Sequence, residues 1–383
     1  PFLRLGFRPF FFFGVVLAIV AVPAWVMALN GALADWTPVG GWLAWHRHEL
    51  LFGFVGAIVA GFLLTAVQTW TGVPGLSGKP LLILLLIWML ARAAWFIPMP
   101  SLLFILLNAV FFLPVAAQMA RSVWPVRQTR NYPIVVVLLV LFLLNLMVVY
   151  AADKGDDVLQ RRAVLGGLWA VGVIMTIIGA GVIPFFTQRG LQRPNQVKAW
   201  PWLERLLVYG GLLVVLSYAT GYAIQPSALM AVLFLLLAVG HLTYLVRWFD
   251  VGVCRFPLLW SLHVAYAWIV VACAGMLAWN MGWILNPSPV FHALTVGAMS
   301  GLILAMIARV TLGHTGRMMQ PPKPMVWAFI LFNLGALARV FLVEFNYQAG
   351  IGMSALLWSL AFFIYLLCYG KMLWQARVDG APG

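Results

Sequence analysis

The chain is a succession of long apolar runs broken by short clusters of Gly, Pro and basic residues, with hardly any stretch polar enough to form a solvated helix face. About 20 consecutive apolar residues suffice to cross a bilayer as an α-helix. Gly, Pro and charge clusters mark where such runs stop. On this pattern helices are expected near residues 10–29, 47–70, 80–97, 101–120, 133–151, 164–187, 206–222, 226–246, 257–280, 289–312, 325–345 and 350–374. The first run, from Phe10, is long enough for a true span rather than a cleavable signal. The expectation is an all-α polytopic integral membrane protein of about twelve transmembrane helices, forming one domain over residues 1–383.

Composition supports lipid as the solvent. Of 383 residues, 64% are hydrophobic and 8% charged, where an average soluble domain carries about 25% charged residues. The net charge of +14 raises the possibility of a nucleic-acid partner, and its placement removes it. With a cytoplasmic N-terminus, Arg47, Lys154, Arg161 and Arg162 fall on the outer side, and Arg92 and Arg339 fall within spans. The other seventeen of the 23 basic residues, Arg8 and Arg309 among them, fall on the cytoplasmic side. Such asymmetry is the positive-inside pattern, which puts both termini in the cytoplasm. Cys254, Cys273 and Cys368 have no metal-type spacing and read as small core residues.

The six histidines are the main chemical clue, because ionisable residues at membrane depth are costly and mark functional sites. His46 and His48 open the second expected helix and His292 the tenth, all on the outer side. His241, near the end of the eighth, and His263, near the start of the ninth, each lie ~9 Å in from the cytoplasmic face. His314 follows the tenth helix on that same side. Twenty-two helical residues hold His292 and His314 roughly 33 Å apart, whereas two axial ligands of one iron stand about 4 Å apart, with metal–nitrogen bonds near 2.0 Å. If all six are ligands they form two sites, His46, His48 and His292 outside and His241, His263 and His314 inside.

Imidazole suits copper, iron and zinc, and a low-polarity bundle suits haem b. Residues i and i+2 of a regular helix point about 200° apart. Either the backbone is irregular at His46 and His48, or the two face different partners; one of them with His292 would serve as bis-histidine ligands. The inner triplet suits a three-histidine copper site, or one haem ligand beside a smaller metal. Arg47, Arg92 and Arg339 lie toward the outer face and suit haem propionates. Arg317 is grouped with them as site-supporting. Against this, Arg339 has Glu344 nearby as an ion-pair partner, and Arg92 could snorkel to the interface. Glu49 reads as a proton relay or ligand-orienting group, or as a solvated carboxylate at a helix start. Gly297-Ala-Met-Ser-Gly301 is a GxxxG pattern for close helix packing.

Several motifs resemble the NnrS family: Arg4-Leu-Gly-Phe-Arg-Pro-Phe-Phe11, Trp45-His-Arg-His-Glu-Leu-Leu-Phe-Gly-Phe54, Gly61-Phe-Leu-Leu-Thr-Ala-Val67 with Trp70-Thr-Gly72, and His292-Ala-Leu-Thr-Val-Gly-Ala-Met299 running into Leu312-Gly-His-Thr-Gly-Arg317. The resemblance implies a bacterial inner-membrane protein that binds haem and copper and acts in nitric oxide metabolism or tolerance, often beside denitrification. By motif it transfers His46, His48, His292 and His314. It delivers no reaction. Three readings follow: an oxidoreductase reducing nitric oxide with electrons from quinol or another membrane donor; a non-catalytic nitric-oxide-binding or metal-handling protein protecting against nitrosative stress; and a transporter with a histidine proton relay.

Overall fold

The computed structural model describes residues 1–195 and 197–381. It is 79% helix, with no strand among the described residues. The main helices are α1 (Phe7–Leu29), α2 (Gly41–Thr71), α3 (Gly78–Ala93), α4 (Ser101–Val123), α5 (Thr129–Lys154), α6 (Asp157–Gly190), α7 (Pro201–Thr220), α8 (Ala228–Trp248), α9 (Pro257–Asn280), α10 (Ser288–His314), α11 (Lys323–Phe345) and α12 (Tyr347–Trp374). Eleven are long and apolar enough to cross a membrane, with mean hydropathy from 1.4 to 3.0. The exception is α3. Its 16 residues make it about 24 Å long, short of the ~30 Å hydrocarbon core, because the apolar run breaks into a turn at Ala94–Phe96.

Local sequence explains many boundaries. Pro133, Pro201 and Pro257 sit in the first turns of α5, α7 and α9, where no intrahelical N–H is needed. Gly72 and Gly155 end α2 and α5 at φ of +71° and +69°, a backbone region that L side chains rarely adopt. Apolar side chains left exposed, such as Leu102 and Leu367, lie on spans, where lipid would cover them.

The chain forms two compact units. One comprises residues 1–167, 310–319 and 362–383; the other comprises 168–309 and 320–361. In the first, α1 and α2 approach closely: a Cβ on Gly6 would stand 2.8 Å from Leu64 Cβ, and one on Gly61 would stand 2.9 Å from Phe10 Cβ. The Phe7 N–H donates to Thr65 Oγ1 at 2.9 Å. In the second, the GxxxG expectation holds as packing. A Cβ on Gly297 would meet the Trp268 ring at 2.5 Å, and one on Gly301 would meet Ala265 Cβ at 3.0 Å.

Two arginines counted on the cytoplasmic side are buried within helices. Arg309 is on α10 and 7% exposed. Arg8 is on α1, fully buried, and its Nη1 donates to the carbonyls of Met372, Leu373 and Gln375 at 3.3, 2.9 and 2.6 Å. The last carbonyls of a helix lack intrahelical partners, so the first span caps the last. Beyond this cap the tail is held by Arg377, which grips Asp379 with two N–H groups at 2.9 and 2.6 Å. That hydrogen bonding holds the Asp379 carboxyl down to about 2.

Arg8→Met should destabilise the first unit by roughly 2–4 kcal/mol, the value of charge-assisted hydrogen bonds left unmade. Thermal unfolding of the detergent-solubilised protein, followed by tryptophan fluorescence, should show a midpoint several degrees lower. Arg4→Met, at an exposed position, should leave the midpoint unchanged.

Candidate functional site

In the first unit, His46 and His48 both lie in the regular part of α2, which becomes π-helical only at Glu49–Val55. The two rings therefore face different partners. His46 stacks on Trp25, with ring centroids 4.6 Å apart and planes 17° from parallel. His48 is fully buried and both its nitrogens are engaged, Nδ1 with Glu49 Oε1 at 2.8 Å and Nε2 with Asn145 Oδ1 at 2.9 Å. The Asn145 amide is oriented by its Nδ2, which donates to the Asn108 carbonyl at 2.8 Å. Asn108 in turn accepts from Trp95 Nε1 at 3.1 Å. With Asn145 Oδ1 fixed as an acceptor, His48 Nε2 must carry a proton.

Glu49 is 1% exposed and so is not a solvated helix-start carboxylate. Its Oε2 lies 2.6 Å from Arg92 Nε, and Arg92 is held inside by that ion pair rather than snorkelling. Gly53 makes the pair possible, since a Cβ there would stand 3.1 Å from Glu49 Oε2 and 3.4 Å from Arg92 Cζ. The Gly53 carbonyl accepts from Trp88 Nε1 at 3.1 Å, an outside donor where the α-helical ladder has widened. Arg47 is taken up by Asp157 and by Gln160, the latter at 2.9 Å. His314 lies 5.6 Å from the Phe7 ring. Its carbonyl accepts from Arg377 at 3.4 Å, while Arg317 reaches Gln375 Oε1, also at 3.4 Å.

In the second unit, His292 is placed by two π-helical stretches. One, Ala293–Ser300, begins at the next residue; there the Ser300 hydroxyl donates to the Thr295 carbonyl five residues back, at 2.8 Å. The other, Ala338–Leu342, carries Arg339. His292 Nδ1 donates to the Ser288 carbonyl at 2.7 Å. This leaves a lone pair on Nε2, which accepts from Arg339 Nη2 at 3.0 Å. Arg339 thus pairs with His292, and Glu344 stays exposed. A guanidinium N–H on the Nε2 lone pair stands where a Lewis-acidic metal would bind. The backbone lock on Nδ1 is the usual outer support of a metal-ligating histidine.

His263 repeats the pattern, with Nδ1 donating to the Leu259 carbonyl four residues back at 3.0 Å. His241 differs: its Nδ1 meets the Tyr266 hydroxyl at 2.8 Å, and both residues are buried.

The two sequence triplets therefore each draw on both units. His46, His48 and His314 belong to the first unit and His241, His263 and His292 to the second. Among the described residues no group of three or more His, Cys, Asp or Glu could hold a metal ion. A haem iron needs only one or two imidazoles, and His292, with Nδ1 locked and Nε2 turned to a cation, suits it. Copper finds no preassembled set of three ligands. Asn145, Tyr266 and Arg309 did not emerge from the sequence as site residues. Asn145 was visible as the one polar residue in the run from Val135 to Val149. Nothing local singles out the other two.

The family model described as NnrS protein matches residues 1–377. No curated protein matches the chain.

Removing one member of a buried ion pair costs about 3–5 kcal/mol, since the other charge is left uncompensated. Glu49→Gln and Arg92→Met should each destabilise the protein by that order. The double variant should recover part of the loss in thermal unfolding, with a coupling energy above ~1 kcal/mol.

Proposed function

Because the chain belongs to the NnrS family, we propose that it is a haem-binding protein of the bacterial inner membrane that acts on nitric oxide, reducing it with electrons from quinol or another membrane donor. Copper is the second metal the family resemblance implies, and the residues present do not assemble a set for it, so no step is assigned to copper. The observation that carries the haem reading is the state of His292. Its ring is locked through Nδ1, and its Nε2 lone pair is presented to a cation. Haem, when bound, supplies an iron that takes a diatomic gas as ligand and exchanges single electrons.

The chain's own residues do the rest. His292 fixes the direction of approach to its Nε2, because the Ser288 carbonyl removes the other tautomer. Arg339 holds that lone pair and carries the charge that suits a carboxylate. An apolar gas partitions into lipid and so reaches the helices from the membrane side. In the first unit, the His48–Glu49 contact of 2.8 Å requires a proton between its two atoms and keeps it out of water, as reduction chemistry in an apolar interior needs. The inner-membrane location is what the family resemblance implies, and the cytoplasmic termini rest on the distribution of basic residues.

Reduced-minus-oxidised spectra of the purified protein should show a haem b Soret band, and His292→Ala should remove part of it. His314→Ala should remove a different part or none. With a chemical reductant, the wild type should consume nitric oxide in an electrode trace. A colourless preparation would exclude the haem reading. A nitric-oxide-induced spectral shift without consumption would leave a binding protein and exclude the reductase.

A further inference from the structure

The start of α1 and the end of α12 meet at one face of the first unit, the face that the basic residues mark as cytoplasmic. Four arginines converge there, since Arg4, Arg317 and Arg377 all stand close enough to repel Arg8. The cluster's one acidic side chain is Asp379, and Arg377 takes it up through Nε and Nη2. The other acids of the first unit, Asp35, Glu49, Asp153, Asp156 and Asp157, lie toward the opposite helix ends. Positive charge is therefore in excess. Arg317 reaches Gln375 with Nη2, and its buried Nη1 has no partner among the described residues. Arg4 is exposed, and no acid pairs with it among the described residues.

Beside these groups is a cleft of about 250 Å3, lined by Pro1, Arg4, Ala376, Arg377, Gly380 and Ala381. At ~30 Å3 for each water in the liquid, that is room for a hydrated phosphate group. The tail forming one wall is strapped down. The Val378 N–H donates to the Thr315 carbonyl at 3.2 Å, and Arg377 Nη1 donates to the His314 carbonyl at 3.4 Å. Gly316 leaves room for the strap, since a Cβ there would stand 2.7 Å from Asp379 Cγ. Asp379 is not in the lining, so the charged side chains facing the cleft are both cationic. Arg4 offers its whole guanidinium and Arg377 the second proton of Nη1, a donor set that suits a phosphate oxyanion.

The cleft also lies at the depth of lipid headgroups. Phe2 stacks on Trp374 with ring centroids 3.7 Å apart, and Trp374 is exposed at the last position of α12. Exposed tryptophans at span ends mark the membrane interface. Arg4 stands three residues before α1 and Arg377 three residues after α12, just beyond that mark. Basic pockets between span ends on this side of a membrane are suited to anionic headgroups.

We propose that the cleft between Arg4 and Arg377 is a binding site for a phosphate group, supplied by the headgroup of an anionic phospholipid. Arg4 grips the phosphate oxygens and Arg377 adds one hydrogen bond. A headgroup held here ties the start of α1 to the tail beyond α12. The site is independent of the haem reading.

The test titrates full-length protein in neutral detergent with phosphatidylglycerol, phosphatidylcholine or inorganic phosphate, and follows bound lipid by native mass spectrometry and the thermal midpoint. Wild type should hold the first phosphatidylglycerol roughly tenfold more tightly than Arg4→Met does, the worth of one charge-assisted hydrogen bond. Arg4→Lys should fall between. Arg121→Met, which removes an exposed charge from the end of α4, should bind like wild type. Phosphatidylcholine should bind more weakly, and equally to all four proteins. Without added lipid Arg4→Met unfolds like wild type, so lost binding is not lost folding. Equal affinity of wild type and Arg4→Met for the first phosphatidylglycerol overturns the site. An equal loss in Arg121→Met also overturns it, by marking a diffuse effect of charge. A midpoint raised as much by inorganic phosphate as by phosphatidylglycerol keeps the phosphate site and overturns lipid as its source.

Discussion

A positive charge inside a low-polarity bundle must be matched, and this chain has only nine acidic residues with which to match it. Four of its buried or half-buried arginines are therefore compensated in four different ways. Arg92 has a carboxylate, Glu49. Arg8 has the carbonyl ends of a helix, where the helix dipole concentrates negative charge. Arg339 has the lone pair of a histidine. Arg309 has a single carbonyl and the face of an aromatic ring. These solutions run from full neutralisation to almost none.

The spans were legible because a membrane helix is a local property: twenty apolar residues declare it without reference to the rest of the chain. Even the failure at α3 is local, since the run before Ala94 is too short. The histidines were legible as residue types for the same reason. Their partners were not. His48 finds Asn145 across 97 residues and Arg339 finds His292 across 47. The alternatives to a haem propionate, Glu344 for Arg339 and the lipid interface for Arg92, rested on proximity in sequence alone. Glu49 shows the same limit. As the residue after His48 it read either as a proton relay or as the solvated start of a helix; in the fold it is buried, paired with Arg92 and in hydrogen-bond contact with His48.

The π-helical stretches were equally hidden. A run of apolar residues has no polar face whose period could reveal a change from four-residue to five-residue hydrogen bonding. Yet these stretches follow His48, follow His292 and carry Arg339. A widened turn loosens the helix ladder and re-aims the side chains around it, which is why such turns gather at functional sites. Here they free carbonyls and direct the rings. The 200° separation of His46 and His48 survives because the widening starts just after them. One histidine is thereby committed to a closed network and the other to a stack on Trp25.

The clasp between Arg8 and the end of α12 also sets an order of events in biosynthesis. Arg8 leaves the ribosome more than 360 residues before the carbonyls that satisfy it, those of Met372, Leu373 and Gln375. Until α12 inserts, α1 carries a charge without these carbonyls and cannot settle at its final depth. The first unit also needs residues 310–319 and 362–383, so it closes only after the second unit's sequence has been made. A chain that stalls early keeps that charge exposed within the membrane, a mark by which quality-control proteases can tell an unfinished molecule from a finished one.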